Sequence, residues 1–573
     1  MKILLTTLHA KYVHASLALP CLAAACGELA GGAVRSREFT VNEPAEQVLR
    51  SIVGEEADVV MFSCYIWNVT QTLRLIADLK LIRPRTFVVL GGPEVSYGAF
   101  ELLADNPAVD CIVRGEGETT CRELLAALTL DTTTAPQLDT IAGITFRNGE
   151  HITATPDRQP IADLDVIPSP FAAGLVDLGK PLVYYETSRG CPFSCAFCMS
   201  SLEGGVRSFS LDRIKSDLHI LLASGVQTVK LVDRTFNFAA ARANEIWAFI
   251  LEHNQGSRFH FEIAADLLTD ANLRLLAKVP AGLFRFEIGV QAGEAATLAR
   301  VARQSNLPAL FANVERLRQE TGVTLHLDLV AGLPGEDFAG FTASLQRLLD
   351  ARPHHIQVEP LKVLKGAPMR AIARQEDYAF SAAPPYKILQ TPWLSFTEIG
   401  RIDTIGRLLD LIYNSSRFTT ALAVLAETAP LATLFVTAGR FWEEHGLAST
   451  LPLTGLFAAL WDFGKSLLAE TALEPFRDAL AYDYCLTDYP AAGKVPEFFK
   501  GDGDATGGEK PAGMTKELAQ TLGICAGSKI RTFSRYFLRD YRTSPWGAVG
   551  RELMFVYISS PGRGLEVRVL NGR

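Results

Sequence analysis

The sequence predicts an α/β protein in three parts: a doubly wound parallel sheet at the N-terminus, a partial (βα)6 barrel in the middle and a mostly helical C-terminal domain. Three observations carry that reading. The chain has 573 residues, more than one hydrophobic core usually organises. Short apolar strands alternate with helical spacing in two separate blocks, the pattern of parallel sheets whose crossover helices cover each face. Three of the ten cysteines, Cys191, Cys195 and Cys198, fall within eight residues at the head of the second block. Hydrophobic residues make up 48% and charged residues 21%, with a net charge of -8. That is a folded-protein profile, and nothing global in it draws the chain to nucleic acid or to anionic lipid.

The first domain, residues 1–128, reads as strand over 2–6, helix over 16–29, strand over 59–63, helix over 69–79, strands over 86–90 and 109–113, and a closing helix over 119–128. The opening apolar run is broken by His9, Lys11 and His14 and lacks a small-residue cleavage site, so it reads as a strand and not as a signal peptide. The apolar stretch 421–438 contains Glu427 and Pro430 and reads as two buried helices, not as a membrane span. A cytoplasmic protein is expected. Doubly wound sheets bind ligands at the carboxyl ends of their strands. Two glycine turns fall there: GGPEVS, with Gly91, Gly92, Pro93, Glu94 and Ser96, and RGEGET, with Gly115, Glu116, Gly117 and Glu118. An ordinary tight turn is the alternative for GGPEVS taken alone.

Residues 129–180 read as a connecting segment with a small hairpin around Asn148 and Gly149. The alternation resumes over 181–370, with strands at 183–187, 228–232, 260–264, 285–290, 324–330 and 356–361 and helical spacing at 211–223 and 338–349. A closed eight-unit barrel typically takes about 250 residues, so six units here predict an open, partial barrel. Residues 371–573 are mostly helical, as at 405–413 and 454–468, with a Gly-rich insert at 501–513 that reads as a mobile loop and strand-like ends at 533–541 and 553–559. The stretch 528–543 interleaves Lys529, Arg531, Arg535, Arg539 and Arg542 with aromatics. It could hold phosphate or RNA; the core-like spacing of its aromatics favours a solvated helix face instead.

ETSRGCPFSCAFCMSS places the three clustered cysteines in the loop after the first barrel strand, at the end of a barrel where active sites sit. Thiolates at this spacing can hold three corners of a 4Fe–4S cube and leave the fourth iron open. Structural zinc is the alternative, but it wants four closed ligands, and the nearest downstream His or Cys is His219, on an expected helix. Three inert buried cysteines are the blandest reading.

CPFSCAFC resembles the CxxxCxxC signature of the radical S-adenosylmethionine (SAM) superfamily, including the aromatic Phe197 before the third cysteine. The resemblance implies that SAM binds the open iron through its amino and carboxylate groups. An electron from the reduced cluster then cleaves it to methionine and a 5'-deoxyadenosyl radical. It also implies that Asp233, Glu262, Glu287 and Gln291 face that cofactor, with 328–336, DLVAGLPGE, as the fifth strand and its turn. On the residues alone, an acid inside a barrel pairs equally well with an arginine such as Arg234 or Arg285. The superfamily's usual GGE motif after strand two is absent.

A doubly wound domain ahead of such a barrel is similar, over residues 1–370, to the cobalamin-binding class of radical SAM proteins. The resemblance implies a Rossmann-like domain that holds cobalamin at the two glycine turns. The DxHxxG motif of histidine-ligated cobalt is missing, since the sole DxH, Asp217 to His219, is followed by Leu222 where glycine is required. Cobalamin without histidine ligation is therefore implied, its lower face covered by residues 63–68 including Tyr65 and Trp67; for Trp67, core packing is the alternative. The C-terminal region resembles an accessory helical domain of a subset of the class. The expected function is methylation of an unactivated carbon. Radical rearrangement, cyclisation or ring contraction without net methylation is a second reading, and a non-catalytic zinc or iron–sulfur protein a third. Expected partners are a small-molecule or peptide substrate, with RNA less supported, and a reductant such as flavodoxin or ferredoxin, with no membrane; no catalytic residue is singled out.

Overall fold

The structure is a computed structural model that describes residues 1–27, 34–129, 137–447, 450–491, 495–499, 520–524, 528–542, 546, 550–560 and 564–571. It divides into two compact units, 1–344 with 351–353 and 359–399, and 345–350 with 354–358 and 400–573.

The first unit opens with β1 (Ile3–His9), α1 (Ala18–Cys26), β2 (Val34–Thr40), α2 (Ala45–Gly54), β3 (Val59–Ser63), α3 (Val69–Ile82), β4 (Phe87–Gly91), α4 (Ala99–Asp105), β5 (Cys111–Val113) and α5 (Gly117–Thr129). The strands pair in parallel in the order β2-β1-β3-β4-β5. Alternate residues go to opposite faces. Leu4, Val60, Val88 and Ile112 share a core with Val48, Ile52, Leu75 and Leu79 of α2 and α3. Ile3, Leu5, Met61 and Val89 share the other with Leu19, Leu124 and Cys121 of α1 and α5. Burial on both faces is why these strands are continuous apolar runs. The strand order reverses between β1 and β3, the topological switch point beside which such sheets leave a crevice.

Three elements here escape the sequence pattern. The strand β2, VRSREFT, pairs only with β1 and exposes residues 35–37; a charged edge strand discourages further pairing and so looks like loop. The helices α2 and α4, of ten and seven residues, are too short for a helical repeat to stand out. The hairpin around Asn148 and Gly149 forms as β6 (Ile144–Asn148) and β7 (His151–Ala154), but it pairs antiparallel with β5 and extends the sheet to seven strands. Part of the connecting segment is thus sheet.

The barrel strands are β8 (Leu182–Tyr185), β11 (Thr228–Leu231), β12 (Arg258–Ile263), β13 (Phe284–Gln291), β14 (Thr324–Ala331) and β15 (His355–Pro360), in the order β15-β14-β13-β12-β11-β8. Between the first two lies an antiparallel hairpin, β9 (Ser188–Cys191) with β10 (Gly205–Ser208). The edges β8 and β15 do not pair, so the barrel is open. Along β13, Phe284, Phe286, Ile288 and Val290 are buried, whereas Arg285, Glu287, Gly289 and Gln291 alternate as half-buried residues of the concave face. Trp247, on the crossover helix α7 (Ala240–His253), stacks on Phe286. The apolar layer therefore lies under the helices, and the polar layer faces inward. The other crossover helices are α6 (Leu211–Ala223), α8 (Asp270–Leu276), α9 (Ala295–Arg300), α10 (Leu307–Glu320) and α11 (Phe338–Asp350).

The second unit takes up the helix over 396–408 at Gly400, and helices over 419–426, 431–444, 453–467 and 470–487 then precede a three-stranded antiparallel sheet of residues 529–537, 551–559 and 565–571. Buried Asp483 accepts from the amides of Thr420 (3.2 Å) and Ala421 (2.8 Å) at the start of one helix. The stretch 421–438 is two helices, as the sequence predicts. No single helix among the described residues is long and apolar enough to cross a membrane; the pair 419–426 and 431–444 passes together by length and composition, bent by 108°. The helix-face reading of 528–543 is overturned, because residues 529–537 form a strand with Phe533 and Phe537 buried. Its arginines have protein partners: Arg535 lies over the Phe499 ring, Arg539 meets Glu427 at 3.0 Å, and Arg542 meets Asp540 at 2.7 Å. The Gly-rich insert 501–513 lies outside the described residues.

Candidate active site

The cysteine loop is held by its hairpin. At Gly190 (φ 87°) a Cβ would lie 1.9 Å from the carbonyl oxygen of Gly205, so the two strands meet only because that residue has no side chain. Beyond the hairpin, the Ala196 amide donates to the Val301 carbonyl and the Met369 amide donates to the Ala196 carbonyl, both at 2.8 Å. Asp233, just past β11, is fully buried. Its carboxylate accepts from the Thr187 amide at 2.9 Å and from the hydroxyls of Thr187 and Ser188, tying β11 to the β8–β9 connection. Asp233 therefore braces the loop and does not line the cavity beside it.

That cavity, about 210 Å³, is lined by Cys191, Cys195, Cys198, Phe193, Phe197, Arg234, Thr235, Glu262, Glu287, Gln291, Arg303 and Asp328, among others. The structure brings together all three cysteines, Phe197, Glu262, Glu287 and Gln291 of the sequence reading. Arg303, Phe193 and Thr235 were not foreseen. The arginine lies beyond α9 in a stretch with no motif, so only the fold could bring it here. Gln291 adopts a left-handed backbone (φ 72°) at a bulge between β13 and β14. A non-glycine residue held there is strained, a feature that clusters at functional sites.

The acids of the cavity differ in charge. Glu287 is half-buried, and although that burial works against its charge, the His260 ring 2.8 Å away and the charge of Lys230 at 3.2 Å hold it well below the usual carboxylate range. Burial pushes Glu262 up to about 7 against the pull of Arg234. Burial, and then the charge of Glu287, push Asp328 well up; one of its oxygens lies 3.0 Å from His326 Nε2. The alternative of an arginine partner does not hold for Glu287: its neighbours are Lys230 and His260, while Arg285 contacts His326 Nδ1 at 3.0 Å. Burial raises the Cys195 thiol and Arg303 opposes that. Among the described residues no group of three or more His, Cys, Asp or Glu closes around a single-ion position. Three thiols along one wall, with no fourth closing ligand, fit the separate corners of a 4Fe–4S cube better than tetrahedral zinc.

The glycine turns behave differently. At Gly92 (φ 105°) a Cβ would lie 2.5 Å from the Cys64 carbonyl oxygen, and Gly91 ends β4. Pro93 is exposed, and Ser96 Oγ donates to the Gly92 carbonyl while accepting from the Gly115 amide. Buried Glu94 accepts from the Tyr386 hydroxyl and lies 3.3 Å from Lys365 Nζ. Glu116 meets Arg207 at 2.8 Å, Arg189 at 3.3 Å and the Ile161 amide at 2.7 Å. Glu118, on α5 behind Gly117, meets Arg189 at 2.5 Å. The acids of both turns are thus joined to protein cations.

At the switch point, the rings of Tyr65 and Trp67 stack 4.5 Å apart, within 4° of parallel. Trp67 is 47% exposed, which overturns its core-packing reading. Its Nε1 donates to the Leu8 carbonyl. His9 lies 2.9 Å from Glu38, and His14 Nδ1 lies 2.5 Å from the Tyr184 hydroxyl. An exposed aromatic stack at the crevice of a doubly wound sheet is a surface that a flat macrocycle can cover, so these residues fit cobalamin.

Comparison with known proteins agrees with this geometry. Residues 3–125 match the B12 binding domain, and residues 185–348 match the radical SAM superfamily. The chain joins a B12-binding domain to a radical SAM domain. Behind the radical SAM domain, residues 375–524 match a protein family of unknown function, DUF4080. The chain is similar to the cobalamin-dependent radical SAM methyltransferase TokK of Streptomyces tokunonensis, at 25% identity over 61% of this chain and 53% of that protein. It is also similar to the anaerobic magnesium-protoporphyrin IX monomethyl ester cyclase of Synechocystis, at 31% identity over 44% of this chain and 51% of that protein. It spans about half the length of these curated relatives. The solved structure of the radical SAM methyltransferase TsrM from Kitasatospora setae, with cobalamin and a [4Fe–4S] cluster bound, shares the fold: TM-score 0.54 at 18% identity, covering 67% of this chain and 76% of that one.

Proposed function

We propose that this chain is a cobalamin-dependent radical SAM enzyme that methylates an unactivated carbon of a small-molecule substrate. The observation that carries the proposal is the gathering of Cys191, Cys195 and Cys198 with Glu262, Glu287, Gln291 and Arg234 around one cavity, in a chain whose N-terminal part matches a B12-binding domain. When bound, the 4Fe–4S cluster supplies the electron that cleaves SAM reductively to a 5'-deoxyadenosyl radical, and cobalamin supplies a cobalt that carries a methyl group. The chain's own part is placement. Cys191, Cys195 and Cys198 hold three irons, and Arg234, Glu262 and Gln291 offer SAM polar contacts from the concave face. Ionised Glu287 favours a cationic group, such as an ammonium or a sulfonium, in the cavity. Tyr65 and Trp67 support the cobalamin face. A reduced cluster requires a reducing compartment, which favours the cytoplasm and an electron donor of the flavodoxin or ferredoxin class.

Similarity to the Synechocystis cyclase favours a second reading, radical ring formation without methyl transfer. The anaerobically reconstituted chain, supplied with SAM bearing a labelled methyl group and with extracts fractionated by mass, separates the two. A product heavier by one labelled methyl supports methylation. 5'-Deoxyadenosine formed beside an unlabelled rearranged product supports cyclisation.

A further inference from the structure

The cavity holds a cation with no place in the reading above. Arg303 follows the left-handed residue Ala302 (φ 52°) in the turn that closes α9, and its amide donates to the Leu298 carbonyl at 2.9 Å. The same turn supplies the Val301 carbonyl that anchors the cysteine loop at Ala196. The guanidinium is fixed at three points: Nη2 donates to the Gly289 carbonyl at 2.9 Å, Nη1 donates to Cys195 Sγ at 3.6 Å, and the group lies over the Phe193 ring at 4.9 Å. A second neighbour of the cysteines among the described residues, the Thr235 hydroxyl 3.4 Å from Cys191 Sγ, is neutral.

A fixed positive charge donating to a thiolate stabilises the more negative, reduced form of whatever that thiolate binds, and hydrogen bonds to ligand sulfur and local charge are what set iron–sulfur potentials. We infer that Arg303 is a positioning residue for the cluster, holding Cys195 through its sulfur and raising the reduction potential. The inference rests on the reading of Cys191, Cys195 and Cys198 as cluster ligands. Its test is a potentiometric titration of the full chain, reconstituted anaerobically with iron and sulfide and followed by electron paramagnetic resonance, for wild type, Arg303→Gln and Arg303→Lys. At the potential where half the wild-type clusters are reduced, the reduced-to-oxidised ratio in Arg303→Gln is expected to fall about tenfold, equivalent to about 59 mV for one electron. Arg303→Lys, which keeps the charge and loses the fork, is expected to fall about threefold. Superimposable curves for wild type and Arg303→Gln overturn the inference, as does a shift in Arg303→Lys as large as in Arg303→Gln. So does an unchanged potential accompanied by weakened SAM binding, which would make Arg303 a partner of the SAM carboxylate alone. Where Arg303→Gln takes up no iron, Arg303→Lys decides: a threefold fall supports the inference and an unchanged curve overturns it. Wild-type protein that yields no cluster signal overturns the cluster reading first, and this inference with it.

Discussion

The cysteine loop and the glycine turns are the two regions the sequence marks out, and they use their acidic residues in opposite ways. Around the loop, Glu262, Glu287 and Asp328 come from successive barrel strands and face an open cavity. In the turns, Glu94, Glu116 and Glu118 are paired with Tyr386, Lys365, Arg207 and Arg189, on segments far away in sequence. An acid beside a glycine motif can thus be frame and not ligand. Arg189 makes the point most sharply: two residues before Cys191, it collects Glu116, Glu118 and Glu186, so the RGEGET turn is tied directly to the hairpin that carries the first cysteine.

The largest test of that division is Arg189→Met. It strands buried Glu118 and half-buried Glu186 and leaves Glu116 to Arg207 and the Ile161 amide, and breaking a buried ion pair by removing one partner costs about 3 kcal/mol or more. A marked fall in the thermal unfolding midpoint is expected, with poor cluster uptake; an unchanged midpoint would dissolve the frame reading of the turns. Next in size is the pH response of the cavity. Glu262 has its folded pKa raised above the ordinary carboxylate value, so the folded protein holds a proton there that the unfolded chain has lost. The stability this gives is fully present below about pH 4.5 and is lost as pH rises through about 7. Glu262→Gln stays neutral, and is expected to flatten the decline in unfolding free energy between about pH 4.5 and about 7 by up to about 1.4 kcal/mol per pH unit. Parallel declines in the two proteins would contradict the assignment. The smallest effect is expected of Tyr386→Phe, which removes one donor from buried Glu94 and leaves Lys365 in place; about 1 kcal/mol is the expected loss by chemical denaturation.

Where the sequence was legible, local physics decided the outcome. The strand over 59–63 and the helix over 211–223 form with the bounds their periodicity implies, because each buries a mainly apolar set at the spacing of its element. The cysteine spacing places three thiols on one loop before any fold is known. Long-range partnership was not legible. The edge strand β2 is polar because one of its sides meets solvent. Asp233 shares the residue type of a cofactor ligand, yet hydroxyls of Thr187 and Ser188, more than 40 residues away in sequence, claim it. Arg303 lies 108 residues from Cys195, and only the return of the chain after β13 brings the two together. Trp67 carried no periodic signal separating core from surface, and its exposure follows from the strand order, which leaves a crevice between β1 and β3.

The central claim is that the three cysteines hold a cluster that opens SAM. Its most direct measurement is 5'-deoxyadenosine formation by anaerobically reconstituted, chemically reduced protein, comparing wild type with the variant carrying Cys191→Ala, Cys195→Ala and Cys198→Ala. Wild type is expected to bind four irons and four sulfides per chain, as the cube requires, and to release methionine and 5'-deoxyadenosine, with both the iron and the product absent from the variant. Equal product from the two proteins, or a wild type that binds a single zinc ion and leaves SAM intact, would contradict the account.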